Sequence, residues 1–412
     1  MKKLLIIFAV IIVFLMQYPC LAAAKTTGKQ AAGNRQQETP ADIQQEASDG
    51  TQQEISDGIQ EETESIMGDL GLSAVDSYLQ QEEVGQLTFS GLVRDLMKNG
   101  LAFEFSSVGK AVRTVILQDF NENRKVLLQI LTLAVAFSIL LQMTPNAQKT
   151  YLVDTGFLGI YLILMLLLLK LFLVMTGTVE GYLAKLTDFM QVLQPVFCLS
   201  MVFSTGSMSA GVYYELLLLL IFLIETVFVK ILLPVVQIYM VLQLINYMME
   251  DERFTRIAGF LSNSVKWCTK AFLTAVIGFN FVQGLLAPGI DGLKRSVAAG
   301  AVRSVPGIGQ VMNSTTEILA GSAMLIKNSV GAAALVILAV ISFLPLLKIA
   351  VFMLLYQGCA ALLEPVADKR ICAATAALGQ SAALYLRLMF YAAMLFFLSI
   401  AVICTVTTLS AR

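Results

Sequence analysis

No histidine occurs at any of the 412 positions of the chain. Imidazole metal sites, Ser-His-Asp triads and Cys-His nucleophile pairs are excluded together by that one absence. Charge is scarce as well, with Asp, Glu, Lys and Arg at 14% against 57% hydrophobic residues. A soluble domain does not stay dissolved at that ratio once its core is filled, so the apolar excess faces lipid. The six cysteines, Cys20, Cys198, Cys268, Cys359, Cys372 and Cys404, show no CxxC spacing and mostly lie in or beside apolar runs. There a thiol behaves as a small hydrophobe rather than as a disulfide partner or metal ligand. No cofactor, no metal and no enzyme chemistry follows from these residues.

What charge there is lies unevenly. The formal net charge is -1, yet Lys25 to Phe89 holds thirteen acidic residues against three basic ones. Neither half concentrates the basic surface that nucleic acid requires, and the basic surplus of the second half suits loops flanking a membrane.

Lys2 and Lys3 precede an apolar stretch, Leu4 to Met16, and the small residues Ala22-Ala23-Ala24 follow. This is the layout of a cleavable signal peptide over 1–24, with cleavage near Ala24. Gln17-Tyr18-Pro19 do not make Cys20 a lipidation site. Export places the acidic 25–65 segment outside the cytoplasm; rich in Gln, Glu, Ser, Thr and Gly, it is too polar to offset its ordering entropy and is expected to be disordered. Within it Gln44 to Gly50 recurs, with one change, as Gln52 to Gly58, the mark of a slipped repeat in a tether or of a binding motif. Over 66–125 apolar residues return at helical steps, from Leu70, Leu72, Val75 and Leu79 to Val112 and Leu117. Amphipathic extracytoplasmic helices fit that pattern, their apolar faces meeting the membrane surface, another subunit or one another.

From 126 to 406 the chain reads as an all-α polytopic membrane domain, with a short tail at 407–412. Gly156 to Met175 is the clearest span, apolar but for Lys170, which sits near its end and snorkels. Further spans are expected at Val126–Met143, Gly211–Val229, Ile231–Met249, Ala271–Ala287, Gly331–Leu347, Ile349–Leu363 and Leu384–Val406, a bundle of six to eight crossings. Glu215 to Met249 holds almost no polar turn, so a single long kinked helix there changes the parity. Arg253, Arg256, Lys266 and Lys270 mark a cytoplasmic loop under the positive-inside bias.

Polar residues at membrane depth are the site candidates. Glu225 lies inside an apolar run, and Lys230, five residues on, pairs with it only imperfectly along an α-helix. The couple reads as part of a proton or ion pathway, or as a neutral or snorkelling Glu near a helix end. Gln237, Gln243 and Asn246 line a pore or hydrogen-bond to neighbouring helices. Pro195, Pro234 and Pro345 are hinge or kink candidates, and Pro306, Gly307 and Gly309 lie in a Gly-, Ala- and Ser-rich stretch that permits close backbone approach.

Residue patterns in order then point to a family: LQPVFCLS at Leu193–Ser200, VKWCTK at Val265–Lys270, GFNFVQG at Gly278–Gly284, DGLK at Asp291–Lys294, VPGIG at Val305–Gly309 and LLEPVADKR at Leu362–Arg370. With the signal peptide and polytopic second half, the chain resembles the stage III sporulation protein AE family of endospore formers, from about residue 65 to the C-terminus. The resemblance implies a multi-pass protein of the mother-cell membrane facing the forespore. It implies a place in a channel or secretion-like complex with other stage III sporulation A-operon membrane proteins, among them a cytoplasmic ATPase and ring-forming subunits, and indirectly with a forespore-side partner. A platform or export-gate-like role follows from it, and an autonomous secondary transporter or channel for a small solute is the competing reading.

N-terminal sequencing of the membrane-bound product is expected to begin at Lys25. An intact Met1 would mean that Leu4 to Met16 remains as an anchor.

Overall fold

A computed structural model describes residues 71–81, 88–99, 128–130, 132, 149–205, 207–249, 253–278, 309–365 and 367–409. The signal peptide, the acidic 25–65 segment, most of Val126–Met143, Pro306 and Gly307 lie outside the described residues. Among the described residues there is no strand. Two short helices, α1 (Leu72–Gln81) and α2 (Phe89–Asn99), precede the long α3 (Lys149–Thr205) and α4 (Ser207–Leu223). α4 runs without a break through a π-helical segment, Ile224–Leu232, into α5 (Leu233–Met248). A helix through 255–278, α6, follows, then α7 (Gly309–Leu363) and α8 (Lys369–Leu409).

Four candidate membrane spans stand among the described residues: Leu158–Val202, Glu215–Met248, Ala323–Leu363 and Lys369–Ala401. Two pairs of expected spans are thus single helices. Gly211–Val229 and Ile231–Met249 join through the π segment, which runs directly into α5 with Pro234 just after it. Gly331–Leu347 and Ile349–Leu363 join through Pro345, which lies inside α7, as Pro195 lies inside α3. With no polar turn beside either proline, an apolar helix that loses one backbone bond still satisfies the rest internally, which lipid demands. Lys170, expected near the end of its span, stands well inside α3, because the helix continues past Met175 to Thr205.

The long helices pack as an antiparallel bundle whose contacts set their relative heights. Tyr161 of α3 donates from its hydroxyl to the Leu244 carbonyl of α5. Thr176 and Tyr385 hydroxyls lie 2.8 Å apart, joining α3 to α8, and the Phe172 ring stacks on Tyr385 at 5.4 Å. The Tyr182 hydroxyl is 3.1 Å from Ser342 Oγ of α7 and 3.4 Å from the Met389 carbonyl oxygen of α8. α3 and α8 therefore run parallel, with α5 and α7 antiparallel to them. Buried tyrosines make these ties because a phenol carries a large apolar ring and a hydroxyl that needs a partner away from water.

α8 is the central helix, and small residues let it sit there. Ala374, Ala377, Ala382, Ala392 and Ala393 are all buried along it. Glycines make the closest approaches between α7 and α8: a Cβ on Gly379 would stand 3.1 Å from the Gln357 backbone nitrogen, and one on Gly331 would overlap Cys404 Sγ. Without a hydrophobic force between helices in lipid, such contacts supply the association energy.

α1 and α2 bury their apolar faces against this same bundle. Val75, Leu79, Phe89 and Val93 are buried, and Tyr78 donates to the Lys185 carbonyl of α3 at 2.9 Å. The Asp76 carboxylate accepts the Ser90 N–H at 3.2 Å and the Phe89 N–H, capping α2 from α1. The partner of these amphipathic faces is thus the chain's own long helices.

Gly331→Val is expected to destabilise the protein by about 1–3 kcal/mol through overpacking. Gly358→Val, in the same helix with nothing within 4 Å of its added Cβ, should cost far less. Denaturant unfolding in detergent micelles ranks the two, and equal losses would refute the close-packed seam.

Candidate intramembrane polar site

The π segment brings together the two charges that an α-helix would hold apart. Its i→i+5 bonding lengthens the turn, so residues five apart share a face. Glu225 and Lys230 accordingly pair at 3.2 Å, correcting the expectation of an imperfect pair. Ile224, Phe228 and Leu232, at steps of four, stay buried through the same stretch. Both charges face outward from that buried row. The side chains are 50% exposed for Glu225 and 63% for Lys230, so the pair lies on the outer surface of the described helices. Such a pair contributes little to stability, and its location is the informative fact.

A second polar group runs between α5 and α8. Gln243 Nε2 donates to the Tyr239 hydroxyl at 3.4 Å, and Tyr239 donates to Gln380 Oε1 at 3.0 Å. Gln243 Oε1 is buried with no hydrogen-bond partner among the described residues. At the next residue of each helix the Ser381 hydroxyl lies 3.2 Å from Met240 Sδ. Asn246 is fully buried and clamps the turn after α5: its Oδ1 accepts the Phe254 N–H at 2.7 Å and its Nδ2 donates to Thr255 Oγ1 at 3.0 Å. Gln237 is half-buried, and its spacing from Gln243 turns it to a different side of α5.

The candidates thus separate into an outward ion pair, an interhelical hydrogen-bonded seam and a turn clamp. Pro195 is exposed on α3, Pro234 follows the π segment directly, Pro345 lies within α7, and Gly309 is the first residue of α7. Sequence reasoning missed Tyr239 and Gln380, and it missed Lys327, fully buried in α7 beside Asn328 and Ser329. The signal for the first two was available, since a tyrosine or glutamine inside an apolar run must find a partner. Among the described residues no group of three or more Cys, Asp or Glu gathers into a metal site.

A family model described as stage III sporulation protein AE matches residues 87–407, which cover α2 and the long helices up to the last two residues of α8. The chain belongs to the stage III sporulation protein AE family. The stage III sporulation protein AE of Bacillus subtilis (strain 168) is 25% identical over 303 residues, covering 73% of this chain and 76% of that protein. No solved structure matches the chain. The family match includes the π segment, the Tyr239–Gln380 seam and the Asn246 clamp, and it begins after α1.

Asn246→Ala is expected to destabilise this sporulation-family protein by about 1 kcal/mol or more, because the part-buried Phe254 N–H and Thr255 hydroxyl both lose their partner. Gln243→Leu should be neutral or slightly stabilising, since it removes a buried oxygen that has no partner. Unfolding followed by the fluorescence of Trp267, the chain's single tryptophan, checks both, and the reverse order would contradict the assigned roles.

Proposed function

We propose that this chain is a membrane-embedded subunit of the channel or secretion-like complex joining mother cell and forespore, serving as a platform or export-gate-like component. The observation that carries this reading is family membership over 87–407. The physical character of the chain supports it. Long apolar helices tied at several heights by buried tyrosine hydrogen bonds make a stiff block, which suits a platform. The polar groups described here tie helices together or face outward, and this favours an assembly part over a self-contained transporter. In this reading the signal peptide exports the N-terminal region, the protein sits in the mother-cell membrane facing the forespore, and its partners are the cytoplasmic ATPase and ring-forming subunits of the same complex. No catalysis is assigned to it.

In the spore former that encodes it, deletion of the chain is expected to abolish late forespore gene expression, and re-expression should restore it. A tagged copy should co-purify with the ATPase and ring-forming subunits. Complexes that assemble and work fully without the chain would sink the proposal. Gradient-driven solute movement by the purified chain alone in liposomes would favour the transporter instead.

A further inference from the structure

α6 presents two seams, and the described helices fill one of them. At its start Asn246 holds Phe254 and Thr255, and after equal distances along both helices Phe228 meets Phe272 at 6.3 Å between ring centroids. α6 therefore runs antiparallel beside α5 and the π segment. Ala258, Ser262, Val265 and Thr269 are buried at alternating steps of four and three, a row that Phe272 continues.

The opposite row, Phe260, Asn263, Trp267, Lys270 and Thr274, repeats those steps and is exposed throughout. Its composition suits neither water nor lipid. Phe260 is 69% and Trp267 72% exposed, a large apolar area to leave in water. Asn263 sits one turn from each ring, and Lys266 and Lys270 flank the indole, groups that lipid tails do not solvate. Residues 253–278 hold Arg253, Arg256, Lys266 and Lys270 and no acid, and no salt bridge among the described residues joins either lysine. Large aromatics among cations are typical of the centre of a protein contact. A second copy does not meet this face with its own α6, because chains standing the same way up in one membrane would set Lys266 and Lys270 against themselves.

A complementary face stands on α3 at the same height. The Thr176–Tyr385 and Tyr239–Gln380 bonds, followed by the Phe228–Phe272 contact, carry the level of Glu180 across α8 and α5 to that of Lys270. The Tyr161–Leu244 bond, counted with the same ring contact, agrees to within about 8 Å. Glu180 is exposed, and no salt bridge among the described residues includes it. It lies between Gly177 and Gly181, both exposed, and a Cβ added to either would meet nothing within 4 Å. Two glycines four residues apart leave a flat place on a membrane helix where another helix can approach closely. By the first route Gly177 counts to the level of Trp267. Lys170, on the same stripe, counts to that of Phe260, whose ring face attracts a cation.

We propose that the outer row of α6 docks on the Gly177–Gly181 face of α3 in a second copy of this chain, with Trp267 over the glycines and Lys270 against Glu180. Both helices run antiparallel to α5, so they lie parallel in the contact. It is heterologous: each copy offers α6 to one neighbour and α3 to another, and assembly continues into a ring or a chain in the membrane plane. The inference does not rest on the proposed role in the complex, and a chain that stays single would leave that reading standing.

The test uses the full-length protein in liposomes at high lipid excess. Energy transfer between donor-labelled and acceptor-labelled copies is expected to exceed that between unrelated membrane proteins at the same density. Lys270→Glu and Glu180→Lys should each weaken self-association at least about tenfold, and the chain carrying both should recover it, as should an equal mixture of the two single variants. In the wild-type protein a carbodiimide should join the Glu180 carboxylate to the Lys270 amine, and mixing isotope-labelled with unlabelled copies should show that link running between copies. Wild-type copies that stay single, association that neither substitution weakens, or links confined to one chain each overturn the inference. A loss that neither the double substitution nor the mixture reverses does so too. Wild-type energy transfer and cross-linking decide it even where the substituted chains fail to insert.

Discussion

The close antiparallel contact of α7 with α8 is the interaction on which the other long helices depend. In lipid, water provides no force to drive helices together, so association comes from van der Waals contact and from hydrogen bonds that cannot be made elsewhere. Gly331 against Cys404 and Gly379 against Gln357 bring the two backbones close at both ends of the hairpin. A central helix lined with buried alanines is then narrow enough for α3 and α5 to reach it, and their tyrosines close the remaining polar groups. Those tyrosine bonds do more than add stability. Each joins a fixed position on one helix to a fixed position on the next, so sliding by a turn would break several at once.

The π segment belongs to the same system of fixed heights. A helix as long as α4 to α5 drifts off its contact row, because four residues exceed one α-helical turn. One wider turn shifts the phase of the helix and sets Glu225 beside Lys230 on the outside, while Ile224, Phe228 and Leu232 stay buried. An irregularity that looks like a local defect thus serves a long-range requirement, and the ion pair follows from it.

Much of the architecture was legible in the residues. Apolar runs with few charges announced membrane helices, helical spacing at Leu72, Val75 and Leu79 announced α1, and ordered motifs such as LLEPVADKR announced the family. The number of separate spans was less legible. Pro345 and the Lys230–Pro234 stretch resemble breaks in one dimension, yet the helices pass through both, because no polar turn follows to satisfy a freed backbone. The pairing of Glu225 with Lys230 was illegible for a related reason: helix type is a property of packing, and five-residue spacing means different things in α and π geometry.

The sequence by itself determined that this chain is helical, membrane-bound, without histidine chemistry and a member of a sporulation family, since these depend on composition and on local order along the chain. Tertiary structure alone decided which polar residues meet and at what height each charge lies. Tyr239 and Gln380, like Tyr182, Ser342 and Met389, are scattered through the sequence, and only helices packed in a fixed register draw them together.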